Sequence, residues 1–390
     1  MAKPKVMVVF GTRPEAIKMA PVIRQLDIHQ GAIDTVVAVT GQHREILEPV
    51  LQHFGIEPTY DLRIMRPGQD LSGTMSRALK GLGRVISLER PDMVLVHGDT
   101  LTTLAGALSA YFGGAAVGHV EAGLRTGDKK APFPEEMMRA LTDRLSDLYF
   151  PPTTWAKGNL VREGLPAERM VVTGNTAIDA LLMTVSDEYE IPDALETGGP
   201  RNTSRRVILV EVHRRENFGE PLARICTALR RVSESRDDVD LLVSVHPNPH
   251  VKTVIRRILG GLDRVRLLPP FEYRDWAHLM KRCYMIITDS GGLQEEAPSL
   301  GKPVLLAREK TERPEAIQAG TVRLVGSDQG LIERAVGELL DDPRKYEAMS
   351  RASNPYGDGK ASERIAGSLL QFFGLRQDRP LEFGTSTRGW

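Results

Sequence analysis

A pair of doubly wound α/β domains is what this sequence predicts, and three observations predict it. Short β-branched runs alternate with stretches of helical period along the whole chain, the pattern of βαβ units building a parallel, helix-covered sheet. The chain has 390 residues, which at about 150 residues per domain means two cores rather than one or three. Between the halves, the stretch 186–204 is rich in Pro, Gly, Asp and Glu and has no apolar period, so a loop or linker belongs there. The expectation is two Rossmann-like units facing a cleft.

The elements follow in order. In the first half strands are expected near Val6 to Phe10, Thr35 to Thr40, Met93 to His97, Ala115 to His119, Leu148 to Phe150 and Met170 to Thr173. The second half repeats the rhythm near Val207 to Val212, Leu241 to His246, Val265 to Leu268, Met285 to Asp289, Val304 to Leu306 and Val322 to Val325. Arg13-Pro14-Glu15-Ala16-Ile17 recurs as Arg313-Pro314-Glu315-Ala316-Ile317, each expected to open a helix with Pro at the first helical position. Ala361 to Phe373 has helical spacing, and Arg376 to Trp390 has no period, which predicts a frayed tail. The expected divisions are 1–175, 176–360, a helix over 361–375 and a tail over 376–390.

Composition narrows the function. Lys plus Arg number 51 and Asp plus Glu number 51, and a zero net charge argues against binding nucleic acid or anionic membranes through a bulk basic field. Any anionic ligand must be held by a few placed cations. Cys226 and Cys283 are too few for a disulfide framework or a structural zinc site, which fits a reducing cytoplasm. Val6 to Phe10 is too short for a signal peptide, and nowhere do ~18 apolar residues follow one another, so no transmembrane helix is expected.

In open α/β sheets ligands bind beyond the carboxyl ends of the strands, and four strand ends stand out. Phe10-Gly11-Thr12-Arg13 runs into a helix start carrying Arg13 and Lys18, as at an anion site on a helix N-terminus, although neither a P-loop nor a dinucleotide fingerprint is present. His97-Gly98-Asp99-Thr100 places a carboxylate, or a helix N-cap, at Asp99. His119-Val120-Glu121-Ala122-Gly123 offers Glu121, where capping explains little because Gly123 interrupts a helix. Glu135 and Glu136 follow in the first turn of a helix, where the dipole alone would favour them. Three carboxylate positions in one domain point to general acid and base work, since like-charged neighbours raise one another's pKa. Metal ligation by His97, Asp99, His119 and Glu121 is the rival, against which no i, i+3 or i+4 ligand spacing on a helix is found. The fourth place is Thr288-Asp289-Ser290-Gly291-Gly292, a turn that presents backbone N–H groups to a phosphate or diphosphate. Glu296 beyond it suits a ribose diol. His213-Arg214-Arg215-Glu216-Asn217 follows another strand in the same half.

Together, HGDT at 97–100, HVEAGLRTGD at 119–128, PFPEE at 132–136, TGN at 173–175, HRREN at 213–217, HPNP at 246–249, DSGGLQEEAPSLGKPV at 289–304, TERPEA at 311–316 and NPYGDGKA at 354–361 closely resemble the bacterial non-hydrolysing UDP-N-acetylglucosamine 2-epimerases, from about Lys5 to Phe373. The resemblance implies the glycosyltransferase-B architecture with a C-terminal helix crossing back to the first domain. It implies an isomerase that interconverts UDP-GlcNAc and UDP-ManNAc for envelope polysaccharide, without NAD or metal, through elimination of UDP to a bound 2-acetamidoglucal and re-addition. By the same resemblance Asp99, Glu121 and Glu135 match the acid/base carboxylates, in no secure order, and His213 a catalytic or phosphate-facing histidine. Arg13, Lys18, Ser290, Gly291 and Gly292 match diphosphate contacts, Glu296 the ribose contact and Arg313 a further nucleotide contact, with Phe271 and Trp276 beside the uracil. Gln42, His43, Arg66, Glu136, Arg214 and His246 lie in segments matching a second, activating substrate site. A cytoplasmic homodimer is implied as well. Two departures stand out: Glu211-Val212 where the family commonly has small or neutral residues such as Thr-Gly, and Phe271 in place of a frequent Gln. The rivals are a UDP-sugar glycosyltransferase of the same architecture, a hydrolysing epimerase releasing ManNAc and UDP, and a non-catalytic sugar-nucleotide sensor.

Overall fold

A computed structural model of the chain describes residues 3–41, 44–66, 68–192, 205–311 and 313–384. Two compact units result, one formed by Met1–Met183 with Tyr356–Trp390 and the other by Thr184–Pro355.

The first unit carries β1 (Lys5–Phe10), β2 (Asp34–Val39), β3 (Tyr60–Asp61), β4 (Met93–His97), β5 (Ala116–Val120) and β6 (Leu148–Phe150), with helices α1 (Arg13–Ile28), α2 (Arg44–Phe54), α3 (Leu71–Glu89), α4 (Leu101–Gly113), α5 (Glu135–Leu145), α6 (Thr154–Arg162) and α7 (Thr176–Thr184). Its sheet runs β3-β2-β1-β4-β5-β6, and every pairing is parallel. β1 and β4 are buried along their length apart from Lys5, as strands covered by helices on both faces must be. Met7, Val9, Val94 and Val96 pack with Leu82, Ile86, Ala105 and Val117 in one core cluster. The helices begin where a side chain can take an orphan N–H: Thr12 and Glu15 form a capping box on α1, and Thr100 and Thr103 do so on α4. Thr100, not Asp99, is therefore the cap, which leaves the Asp99 carboxylate for other work.

The second unit carries β7 (Arg206–Glu211), β8 (Val239–Ser244), β9 (Val265–Leu268), β10 (Met285–Thr288), β11 (Val304–Leu306) and β12 (Val322–Leu324), with α8 (Glu220–Ser235), α9 (Pro249–Leu259), α10 (Tyr273–Arg282), α11 (Gly291–Glu296), α12 (Pro314–Gln318), α13 (Gln329–Asp341) and α14 (Pro343–Ser350). Its order, β12-β11-β10-β7-β8-β9, is again wholly parallel. Counted within the unit this is the strand order of the first sheet, the doubly wound order whose reversal point binds ligands. Ile208, Val210, Val243 and Ile287 meet Ile225, Leu229, Ile332 and Val336 in its core.

Four expectations need correction. Met170 to Thr173 is not a strand: Met170 bridges Tyr149, and Val171 and Thr173 donate to Tyr149 and Pro151, while the carbonyl of Val172 accepts from Phe383 rather than from a further strand. The division falls at 183/184 and 355/356 rather than at 175/176 and 360/361, because Asp179 in α7 accepts from Ala361, Ser362 N–H and Ser362 hydroxyl, tying α7 to the last helix, α15 (Ala361–Phe372). α15 packs on α1. Residues 376–384 are anchored rather than frayed: Arg379 donates to the Glu168 carbonyl and Lys157 pairs with Glu382 at 2.8 Å. Finally, Pro14 is the second helical residue of α1, behind Thr12 and Arg13, whereas Pro314 is the first of α12. Among the described residues no helix is long and apolar enough to cross a membrane.

Candidate functional site

Each sheet has one reversal point, and the strands beside it end in the residues that matter. In the first unit they are β1 and β4, with β5 next to β4. A Cβ at Gly11, just past β1, would overlap the hydroxyls of Thr40 and Thr102; those hydroxyls bond each other at 2.8 Å. The turn behind Gly11 is fixed by Glu15, whose buried carboxylate accepts from Gly11 N (3.1 Å), Thr12 N (2.8 Å) and the Thr100 hydroxyl (2.7 Å). Burial pushes the Glu15 carboxyl up, against the pull of these bonds. One side chain thus joins the loop carrying Arg13 to the loop carrying Asp99.

Glu121 follows β5 with φ of 64°, a left-handed conformation that costs a non-glycine residue roughly 1–2 kcal/mol and that gathers at functional sites. Its Oε2 accepts from Lys18 and from Asn175 Nδ2 (3.1 Å), and lies 3.8 Å from His97 Nε2. Burial alone would raise the Glu121 carboxyl, but the Lys18 ammonium, with His97 and Arg139, outweighs it and holds the group below the usual carboxylate range. Cations, rather than the like-charged neighbours expected from the sequence, thus surround Glu121 and keep it a carboxylate. Asp99, three-quarters buried, pairs with Arg139 of α5. Glu135 opens α5 with its Oε2 buried and, in the structure, without a hydrogen-bond partner. Glu136 is buried and committed to the 126–127 backbone, accepting from Thr126 N and Gly127 N.

His97 ends β4 with 3% of its surface exposed and both ring nitrogens unpartnered. Burial above all, with the cations around it and against the pull of Glu121, depresses it to about 3. The folded chain therefore binds this proton less readily than the unfolded one, so stability is complete above about pH 6.5 and falls as pH drops towards 3. Urea unfolding should show a loss of about 2 kcal/mol from His97 between pH 7 and pH 5; in His97→Gln that part of the slope should vanish, and an unchanged slope would place the loss elsewhere.

In the second unit the reversal lies between β7 and β10. Asp289, fully buried at the end of β10, accepts from His213 N (3.1 Å), Arg214 N (2.9 Å) and Asn217 Nδ2 (2.8 Å), and Asn217 also donates to the Ala307 carbonyl. The 213–217 loop is thereby moulded onto the turn at Ser290. The His213 ring stacks on His246, centroids 5.4 Å apart, and its Nδ1 lies 3.8 Å from Glu211 and 4.0 Å from Asp289. Burial, reinforced by His246 and Arg214 and opposed by Asp289, lowers its pKa. Ser290 precedes α11 without a side-chain capping bond. Arg313 pairs with buried Glu295 and lies across Gly291, where a Cβ would stand 2.8 Å from its guanidinium. Gly291→Ala should displace Arg313; calorimetry should find UDP affinity down about tenfold, the size of one lost charge-assisted bond.

The Phe271 and Trp276 rings stack with centroids 5.5 Å apart at the head of α10. Glu296 is half-buried at the end of α11. Arg66 and Arg214 are exposed in loops, His246 is exposed beside His213, and Gln42 and His43 lie outside the described residues. Within the first unit the structure gathers Lys18, Glu121 and, through Arg139, Asp99; within the second it gathers His213, Ser290, Gly291 and Arg313. Sequence reasoning missed His97 as a partner of Glu121, and also Arg139, Asn175, Asp289 and Glu295. His97, Asn175, Asp289 and Glu295 stood inside quoted motifs, and Arg139 left no signal at all.

The family model described as UDP-N-acetylglucosamine 2-epimerase matches residues 25–370. A UDP-N-acetylglucosamine 2-epimerase of Bacillus subtilis is 49% identical over 383 residues, 98% of this chain and 99% of that protein. A crystal structure of UDP-GlcNAc 2-epimerase from Neisseria meningitidis bound to UDP-GlcNAc is 44% identical with a TM-score of 0.86, covering 94% of this chain and all of that one. The kitacinnamycin glycotransferase, at 15% identity, 95% and 99% coverage and a TM-score of 0.63, shares the fold alone, and the architecture is of the glycosyltransferase-B type.

Proposed function

Because the chain belongs to the UDP-N-acetylglucosamine 2-epimerase family, we propose that it epimerises UDP-GlcNAc at C2 without hydrolysing it. UDP leaves C1 as a carboxylate removes the C2 proton, forming bound 2-acetamidoglucal; UDP then returns to C1 and a proton is delivered to the opposite face of C2. Loss of the diphosphate gives C1 oxocarbenium character, which acidifies the neighbouring C–H enough for a carboxylate base. Asp99, Glu121 and Glu135 are the acid/base set. His213, Arg13, Lys18, Ser290, Gly291 and Gly292 serve the diphosphate, Arg313 and Glu296 the rest of the nucleotide, and Phe271 and Trp276 the uracil. No cofactor enters the scheme.

The single observation that carries this reading is Glu121, ionised, in a left-handed conformation and held by Lys18 at the end of β5. A cation shared between a base and a diphosphate site couples proton removal to departure of UDP. Substrate activation through Arg66, Glu136, Arg214 and His246, with Gln42 and His43, belongs to the same proposal, as does a cytoplasmic setting. A homodimer is supported by the large apolar side chains exposed on α3, α4 and α5, namely Leu71, Leu88, Tyr111, Phe112, Met137 and Leu141.

Proton NMR with UDP-GlcNAc in D2O, nothing else added, tests the reaction. Deuterium at C2 of the UDP-ManNAc formed is the expected result. Accumulation of UDP and free ManNAc would make the enzyme hydrolytic, and intact, undeuterated substrate would end the epimerase reading.

A further inference from the structure

We infer that His119 is a positioning residue protonated on both ring nitrogens in the folded protein, whose two N–H groups lock the Asp99 loop and the Glu121 loop to one another; its kinetic part rests on the reaction proposed above. His119 lies in β5, between β4 and β6, and is wholly buried. Its Nε2 is 2.7 Å from the Gly98 carbonyl and its Nδ1 is 2.6 Å from Asp143 Oδ1. A carbonyl oxygen only accepts, so Nε2 carries a proton. A neutral ring would then point the bare lone pair of Nδ1 at a carboxylate oxygen. Asp143 does not supply the missing proton, because the Arg125 guanidinium, its Nη2 2.7 Å from Oδ2, pairs with the group and keeps it a carboxylate, with Gly123 N donating to the same oxygen (3.3 Å). The proton is on Nδ1, and the ring is an imidazolium.

The charged groups around it close the account. Asp143 on α5 is balanced by both His119 and Arg125, and Arg125 in turn pairs with Glu163 at 2.7 Å. Tyr149 on β6, pushed up to about 12 by burial and the nearby aspartates, is neutral, and so is His97 on β4.

What the two N–H groups reach explains the arrangement. Gly98 immediately precedes Asp99, and its own N–H donates to the Val120 carbonyl at 2.9 Å. Asp143 holds Gly123, two residues beyond Glu121, whose N–H is taken by the Phe150 carbonyl. The strained turn at Glu121 is therefore pinned on both sides, and its pins are the partners of one imidazolium. His119 touches neither carboxylate; it acts through the loops that carry them.

The test uses the whole chain. Long-range proton–nitrogen NMR of histidine-labelled protein at about pH 8, above the ordinary histidine range, should show a His119 ring protonated on both nitrogens, assigned by its absence in His119→Gln. A ring with one bare nitrogen overturns the inference, whether or not the protein turns out to be an epimerase. In the variant, which keeps an amide donor for Gly98, kcat should fall at least tenfold while KM for UDP-GlcNAc and affinity for UDP stay within threefold. Unchanged kcat in a folded variant would overturn the positioning role, and should His119→Gln not fold, Asp143→Asn provides the assignment and the same kinetic split.

Discussion

Glu121→Gln should lose epimerisation by about 10²–10⁴-fold, the size of a missing proton-transfer group, with deuterium incorporation at C2 lost alongside it. The substitution keeps the shape of the side chain and an oxygen that can accept from Asn175 or Lys18, so the fold and the affinity for UDP should survive, the latter within threefold. What it removes is the basicity of an ionised carboxylate. Glu121 stays charged inside the first unit because Lys18 outweighs the cost of burial, and an amide cannot take the C2 proton. The measurement is the D2O experiment on the variant beside wild type. Turnover within tenfold of wild type would remove Glu121 from the acid/base set and leave Asp99 and Glu135 to divide the work.

Asp289→Ala should have the other large effect, on stability and nucleotide binding together. Three donors, from His213, Arg214 and Asn217, converge on that one buried carboxylate, and each donor left unsatisfied in the interior costs about 1–3 kcal/mol. Water entering the truncated site would recover part of this. A loss of about 3 kcal/mol, read from urea unfolding, is expected. Affinity for UDP should fall more than tenfold, because Asp289 holds both ends of the 213–217 loop, through His213 and Arg214 N–H and Asn217 Nδ2, and the remaining bonds of Asn217 to Ala307 and of Glu216 to Arg308 fasten only its far end. Asp289→Asn should be intermediate, since its amide nitrogen turns a donor towards donors. An Asp289→Ala protein with wild-type unfolding and UDP binding would show that the loop is held by something else.

How far these sites could be read from the sequence depends on what kind of contact makes them. The ends of β1, β4, β5, β7 and β10 were legible because a buried parallel strand is a mainly apolar run, and a carboxylate just past it, Asp99 or Glu121, declares itself by position. The doubly wound pattern then locates the reversal points. β3, two residues long, had no run to read, and Met170 to Thr173 imitated a strand while pairing along one side only. Arg139 and Asp143 were illegible for a different reason. In α5 they look like any polar residues on an amphipathic helix, and only the turn of the chain after Pro134 brings them under β4 and β5, where Asp143 meets His119 across 24 residues of sequence. The residues between 376 and 384 are polar and aperiodic, so nothing in them announced the bonds of Arg379 and Glu382 to the first unit.

The first unit takes its last helix, α15, from the far end of the chain, and α15 packs against α1. During synthesis the six strands of that unit emerge long before the helix that completes it, and the whole second unit is made in the interval. Domains that fold as they emerge usually do so from the N-terminus; here the first to begin is the last to finish. A ribosome-bound chain ending at Pro355, followed by a linker long enough to clear the exit tunnel, should hold a protease-resistant second unit and a first unit with the α15-facing side of α1 still open. Nascent protein would in that interval be a client for chaperones at its N-terminal half.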